Sequence, residues 1–308
     1  MIACELVGGL GNQLFQIFAV ISYAIGGKNI PVFLKKEKTV GMTFRTTYWN
    51  TFLVHLSNLL VKELPPMVPI KETSFDYNKL PLMGTPNIFL NGYFQSYKYF
   101  EEHRDDIFKM IHLAKQQETI RKNNNLMFEN TISLHFRLGD YINIQDRHPI
   151  LPISYYKNAI DFLLSKIDDS SQTQLVVLYF CEEQDLFEVK RLIMDLENFY
   201  KNFYKNMTFK QASQSIQDWQ QLLLMSCCKY NVIANSTFSW WAAYFNVSPD
   251  KIVCYPSQWF GSKLKHNTKD LFPPEWNCIS TQPLEKVEPN PPFIHLLKGG
   301  AKLRTFEI

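Results

Sequence analysis

The sequence predicts an α/β protein of two domains, the second built on a doubly wound parallel sheet. Three observations carry this prediction. A chain of 308 residues is too long for one small core and suits two units of roughly 100 to 200 residues each. It opens as strand, glycine turn, helix and strand, a βαβ unit. In its second half, short apolar runs alternate with helical ones, the pattern of parallel strands joined by crossover helices.

Taken in order, "MIACELV" reads as a buried strand, "GGLGNQ" as a glycine turn, "LFQIFAVISYAIGG" as a helix closed by Gly26 and Gly27, and "IPVFLK" as the next strand. The following stretch is aromatic and loop-rich. Within it "NIFLNGYFQSYKYFEEHRDDIFKMI" predicts a strand, a turn at Asn91-Gly92 and a helix from about Tyr97. The polar run "AKQQETIRKNNN" (114–125) predicts a linker, so the domains are expected at 1–125 and 126–308. Beyond it come the strand "TISLHFRL", the helix "ISYYKNAIDFLLSKI", the strand "QLVVLYFC" and the helix "QDLFEVKRLIMDL". The helix "IQDWQQLLLMSCCKY", the strand "NVIAN", the turn "STFS", the helix "WWAAYF" and the strand "KIVCYP" complete the alternation. A proline-rich tail after Cys278 is expected to wrap the surface.

Composition narrows the function classes. With 46% hydrophobic, 20% charged and 15% aromatic residues the chain is globular. A formal net charge of +3, with its basic residues scattered, gives no nucleic-acid footprint. The six cysteines form no CxxC pair and sit mostly in apolar runs, which points to reduced core residues and away from zinc. The longest early apolar run, Leu14 to Ile25, is too short to span a bilayer and follows no signal-peptide layout.

The chemistry-bearing residues sit at strand ends. The glycine turn invites a dinucleotide-binding reading, but the third glycine position holds Leu14, and lysines (Lys35 and Lys36) stand where an acid should close the next strand. A tight strand-to-helix turn explains the glycines, though not the amides of Asn12 and Gln13 at the helix mouth. In "TISLHFRLGDYI", Ile132, Leu134, Phe136 and Leu138 share one face, while Ser133, His135 and Arg137 share the other. Cation-capable His135 and Arg137 at a strand end read as a cup for an anion. The alternative for Arg137 is a salt bridge to Asp140, Glu182 or Glu183.

The next strand ends in Cys181-Glu182-Glu183, and "NVIAN" ends in Asn235-Ser236-Thr237. In a parallel sheet all three polar ends share the ligand-binding edge. Ser236, Thr237 and Ser239 open a helix, where hydroxyls, backbone N–H groups and the helix dipole favour phosphate; an ordinary N-cap is the alternative. Arginine's planar, always-protonated fork suits a diphosphate. The chain has no Asp-x-Asp, no metal-spaced His/Asp/Glu cluster, no GxSxG elbow and no Walker lysine, which disfavours metal, hydrolase and kinase chemistry.

In order along the chain, "GGLGNQLFQ", "NGYFQSYKYF", "HFRLGDY", "LPISYYKNAI", "LLMSCCKYNVIANSTFSWWAAYF" and "KIVCYPSQWF" resemble the α-1,2-fucosyltransferases of glycosyltransferase family 11. The resemblance runs from Gly8 to about Phe260. It implies a GT-B fold of two Rossmann-like domains facing a cleft, with the acceptor side in 1–125 and the GDP-sugar side in 126–308. It implies metal-independent, inverting transfer of L-fucose from GDP-fucose to O-2 of a galactoside, with no cofactor. By the same resemblance Arg137, Ser236 and Thr237, beside Phe238, hold the diphosphate, and Gly11 and Asn12 reach toward the donor.

Two departures stand out. The family's His-x-Arg-Arg reads His-x-Arg-Leu here, at Leu138. Gln221 replaces an acid expected to pair with guanine, with Asp218 one helical turn away. Arg137, His135 and Asp140 are the expected catalytic group; Asp140, Glu182, Glu183 and His135 all stand as candidates for the general base. The loops of about 39–86 are expected to shape the acceptor surface. A different linkage or nucleotide sugar, or a non-catalytic glycan- or nucleotide-binding relic, are the alternatives. The early first strand leads to the expectation of a cytoplasmic enzyme without a transmembrane segment, or one peripheral to a membrane.

Overall fold

The computed structural model describes residues 1–40, 44–167 and 174–283. Its first sheet contains β1 (Ile2–Cys4), β2 (Pro31–Leu34), β3 (Leu60–Val61), β4 (Val68–Lys71) and β5 (Ile88–Asn91), ordered β3-β2-β1-β5-β4, every pair parallel. The second contains β6 (Thr131–His135), β7 (Leu175–Phe180), β8 (Met207–Gln211), β9 (Tyr230–Val232), β10 (Ile252–Pro256) and β11 (Asn277–Ile279), also all parallel. Its order is β11-β10-β9-β6-β7-β8, which counted in chain order is the Rossmann arrangement 3-2-1-4-5-6. Strand order reverses between β6 and β9, so a crevice opens at their carboxyl ends.

The helices are α1 (Leu10–Gly26), α2 (Arg104–Met110), α3 (Leu113–Lys122), α4 (Ile153–Leu164), α5 (Leu186–Tyr200), α6 (Asp218–Cys227) and α7 (Thr237–Phe245). Helix α1 is apolar almost all round and is buried accordingly. It starts at Leu10, earlier than expected, so "GNQ" is its first turn and the tight turn is confined to Gly8-Gly9. Gly8 takes a φ of +83°, a conformation that suits glycine. The fully buried Gln16 bonds the N–H of Val7 at 3.0 Å and its carbonyl at 2.9 Å, and Gln13 donates to the Gly8 and Thr46 carbonyls. These amides satisfy turn backbone, which would otherwise be buried unpaired.

The alternation read in "TISLHFRL" holds. Ile132, Leu134, Phe136 and Leu138 pack on α4 and α5 in one core, with Tyr156 against Phe136 at 4.3 Å between ring centres. The opposite face of the sheet, with α6 and α7, belongs to a larger core that also takes in α1, α3 and the first sheet. Phe15 meets Trp240 and Phe18 meets Trp241, each at 4.5 Å, and Gln117 of α3 donates to Ser226 and to the Phe245 carbonyl at 2.9 Å. Lys98 reaches Asp270 at 2.6 Å. The two sheets are thus joined by a common helical seam.

Two expectations need correction, and three strands had no reading. The run 114–125 is chiefly α3, not a linker: Leu113, Gln117 and Ile120 recur on one face and bury it against α6. The segment from Tyr97 makes two 3-10 turns, and regular helix starts only at Arg104, because Phe100 at φ −141° breaks the ladder between them. Strands β3, β4 and β8 carry no clean apolar period, since edge strands keep exposed residues. Of the proline-rich tail, residues from 284 onward lie outside the described residues.

Candidate active site

One cleft of about 760 Å³ lies between the sheets, where α1 follows β1 and where β6, β7 and β9 end. All ten residues expected at the site line it. From the first half come Gly11 and Asn12; from the second come His135, Arg137 and Asp140, then Asp218 and Gln221, and Ser236, Thr237 and Phe238. The topology explains the convergence, since parallel strands deliver their carboxyl ends to one edge.

The amino ends of α1 and α7 meet here. A Cβ built on Gly11 would stand 2.4 Å from the Thr237 carbonyl carbon, so no larger residue fits without parting the helices. The Thr237 hydroxyl donates to Asn12 Oδ1 at 2.9 Å, and Gln95 Nε2 donates to the same oxygen at 3.0 Å. Ser236 caps α7, its Oγ accepting from the Phe238 N–H at 3.3 Å. Two helix N-termini therefore point their positive ends into one cleft. Asn12 joins the halves, and Gly11 permits their approach.

Arg137 is nearly buried and forms ion pairs with Asp140 and Glu182, the salt bridge weighed as the alternative to an anion cup. Its guanidinium also lies 5.0 Å over the Tyr141 ring. Gly139, at φ +37°, leaves room for it: a Cβ there would come within 3.3 Å of Arg137 Nη1 and 3.0 Å of Glu182 Oε2. The described lining holds Arg45 and Arg137 against Asp140, Glu182, Glu183 and Asp218. An entering anion must exchange with those carboxylates for the guanidinium.

His135 is not a second cation. Burial, and then the Arg137 charge, lower its pKa to about 3, so the imidazole is neutral. Its Nδ1 is buried without a hydrogen-bond partner, and its ring lies 5.7 Å from Phe238. As a base it is too weak at neutral pH to draw a proton from a sugar hydroxyl efficiently.

Asp218 opens α6 beside the capping box of Gln217 and Gln220, and its carboxylate accepts the Tyr48 hydroxyl from the first half. Burial and the Asp218 contact push that hydroxyl's pKa well up. Gln221 faces the cleft one turn later, held weakly at 3.4 Å to the Ile216 carbonyl. Leu138 sits in the core on the packing face, so a side chain there points away from the cleft. Among the described residues no three His, Cys, Asp or Glu side chains are grouped to hold a metal.

Sequence reasoning missed Arg45, Tyr48, Tyr141, His148 and Phe260 on the cleft wall. Gln95 and Tyr141 lay inside quoted motifs, unassigned. Arg45, from the loop region expected to shape the acceptor side, gave no local pattern. His148, a lone polar residue before a proline, gave none either.

Two parallel α/β sheets facing one cleft, with an arginine and two helix N-termini at the strand ends, are the architecture of glycosyltransferases of the GT-B type. The comparisons agree at the level of family. The profile described as glycosyl transferase family 11 matches residues 48–280, and the chain belongs to that family. It is 28% identical to the Escherichia coli O-antigen biosynthesis glycosyltransferase WbnK over 86% of this chain and 96% of that protein. It is 24% identical to an alpha-1,2-colitosyltransferase of Escherichia coli, over 90% and 98%. A Caenorhabditis elegans galactoside 2-alpha-L-fucosyltransferase matches at 25%, over 88% and 77%. Arabidopsis thaliana FUT1, solved with GDP, superposes with a TM-score of 0.45 at 12% identity, over 80% of this chain and 68% of that one. No helix of the described residues is long and apolar enough to cross a membrane.

Proposed function

We propose that this enzyme transfers L-fucose from GDP-fucose to O-2 of a terminal galactoside, with inversion and without a metal ion. The observation that carries the reading is the meeting of Arg137 with the N-termini of α1 and α7 in one cleft, a cradle for a nucleotide diphosphate. The acceptor oxygen attacks C1 of the sugar from the face opposite the nucleotide. The C1–O bond breaks and its electron pair leaves on the diphosphate. Arg137, released from Asp140 and Glu182, and the α7 N-terminus with Ser236 and Thr237 stabilise that growing charge. In this reading Asp218 and Gln221 face the base, which their place on the cleft wall supports.

A second donor is favoured by one observation, the alpha-1,2-colitosyltransferase among the relatives. Colitose is L-fucose without its 3-hydroxyl. A site that hydrogen-bonds that hydroxyl rejects the deoxy sugar strongly, whereas an apolar site rejects fucose only weakly. The experiment is a donor panel of GDP-fucose and GDP-colitose with β-galactosides, run in EDTA, with NMR assignment of the product linkage. Transfer of fucose to O-2 in EDTA is the expected result. Preference for GDP-colitose replaces the donor, another linkage replaces the acceptor position, and GDP binding without turnover of any donor removes the reaction. We place the enzyme in a reducing compartment such as the cytoplasm, a reading supported by six free cysteines, five of them buried.

A further inference from the structure

We propose that His148 is the general base that takes the proton from the acceptor hydroxyl, an assignment that rests on the transferase reading above. The expected candidates are poorly placed. Asp140 and Glu182 flank Arg137, so even when released from it they stand on the side of the leaving diphosphate, and His135 is buried against Phe238. Glu183 is exposed, next to Glu182 on Arg137's side of the cleft, the side of the leaving diphosphate. His148 lines the same cleft from the loop after β6, half-buried, with no hydrogen bond through its ring among the described residues. Its ring stacks on Tyr141, 4.9 Å away and 23° from parallel, and meets Phe260 at a tilt of 54°, 5.8 Å away. These ring contacts hold the imidazole on the cleft wall.

The spacing fits an in-line displacement. Arg137 lies 5.0 Å over the Tyr141 ring and His148 lies 4.9 Å from it, so the guanidinium and the imidazole are separated by at most two ring contacts. In an in-line transfer, the clamp on the leaving oxygen and the base on the nucleophile are separated by roughly three contacts of about 3 Å each. In this assignment Arg137 serves the diphosphate and His148 the acceptor hydroxyl, a division that the spacing permits. As the acceptor oxygen bonds to C1 and the C1–diphosphate bond breaks, the hydroxyl proton passes to a ring nitrogen of His148. The imidazolium then releases it to solvent after product leaves.

The surroundings support a base that is unprotonated at neutral pH. Burial lowers the pKa of His148 from its ordinary 6.5, the Asp140 carboxylate opposes that shift, and Arg137, Arg147 and His266 add to it. Asp140, the favourable charge on the ring, would stabilise the imidazolium through space as it forms.

The test compares wild type with His148→Phe, which keeps an aromatic ring in the stack without a nitrogen, and with His148→Gln. Each is assayed for kcat at saturating acceptor over a pH series, using the donor that wild type turns over best, and for GDP affinity by calorimetry. Both variants are expected to bind GDP as wild type does, to lose about 10²-fold or more in kcat, and to lose the acid limb of the pH profile. His148→Phe with wild-type kcat, or either variant with the acid limb intact, overturns the assignment while leaving the transferase reading in place. Loss of GDP binding by both variants also overturns it, because the histidine would then hold the site together. A wild-type protein that turns over no nucleotide sugar overturns both.

Discussion

Arg137 pairs with two carboxylates on the cleft wall, and that position makes it a test of the site. Arg137→Ala is expected to lower kcat with the native donor by about 10² to 10³, the usual effect of removing one donor to developing negative charge. Arg137→Lys is expected to recover little of it, because an ammonium lacks the planar fork. Steady-state kinetics beside GDP affinity measure both. His135 bears instead on stability. Its folded-state pKa of about 3 lies below the ordinary 6.5, so the unfolded chain takes up the proton first. The stabilisation from keeping it neutral is complete above about pH 6.5 and is lost as pH falls toward 3. Thermal melts should therefore show wild type losing more stability than His135→Gln between about pH 7 and pH 5. Equal losses would mean that the imidazole is not held neutral.

The elements that matter most are α1 and α7, whose first turns touch across the cleft. Gly11→Ala would drive a methyl into the Thr237 backbone. Overpacking of this kind typically costs about 1–3 kcal/mol, so urea denaturation should register that loss. Because the same shift parts the Asn12–Thr237 bond, GDP binding should weaken as well. A Gly11→Ala protein with native stability and native GDP affinity would mean that the helix ends sit farther apart than described. The strand pattern, the Ser236 cap and the strand-end residues were legible in the sequence because each is a local regularity, of period two or of helix start. Helix α3 was not: its run is largely polar, and only its packing on α6 and the end of α7 makes a core residue of Gln117. Edge strand β8 was likewise unreadable, since it half-exposes alternate residues and pairs only with β7.

Two sheets and a chain of this length lead one to expect two units that unfold separately. The single apolar core through α1, α3, α6 and α7 argues otherwise, because neither sheet covers its inner face without helices supplied partly by the other half. Equilibrium unfolding is therefore expected to follow one transition, with far-UV circular dichroism and tryptophan fluorescence coincident. Trp241→Ala, at the centre of the seam, should lower its midpoint by an amount equivalent to about 3–5 kcal/mol while leaving one transition. Two resolved transitions in wild type would show that the seam is weaker than its packing.

From the chain alone follow the α/β class, the parallel second sheet, the membership implied by its motifs and the convergence of Arg137, Ser236 and Thr237 on one edge. All of these depend on residues close in sequence or on the rule that parallel strands share a ligand edge. What Arg137 pairs with, why Gly11 is glycine, why His135 is neutral and where His148 stands depend on the folded chain. Those facts come from contacts between distant segments, such as Asn12 and Thr237, 225 residues apart. They are set by burial and charge in three dimensions, which no local pattern encodes.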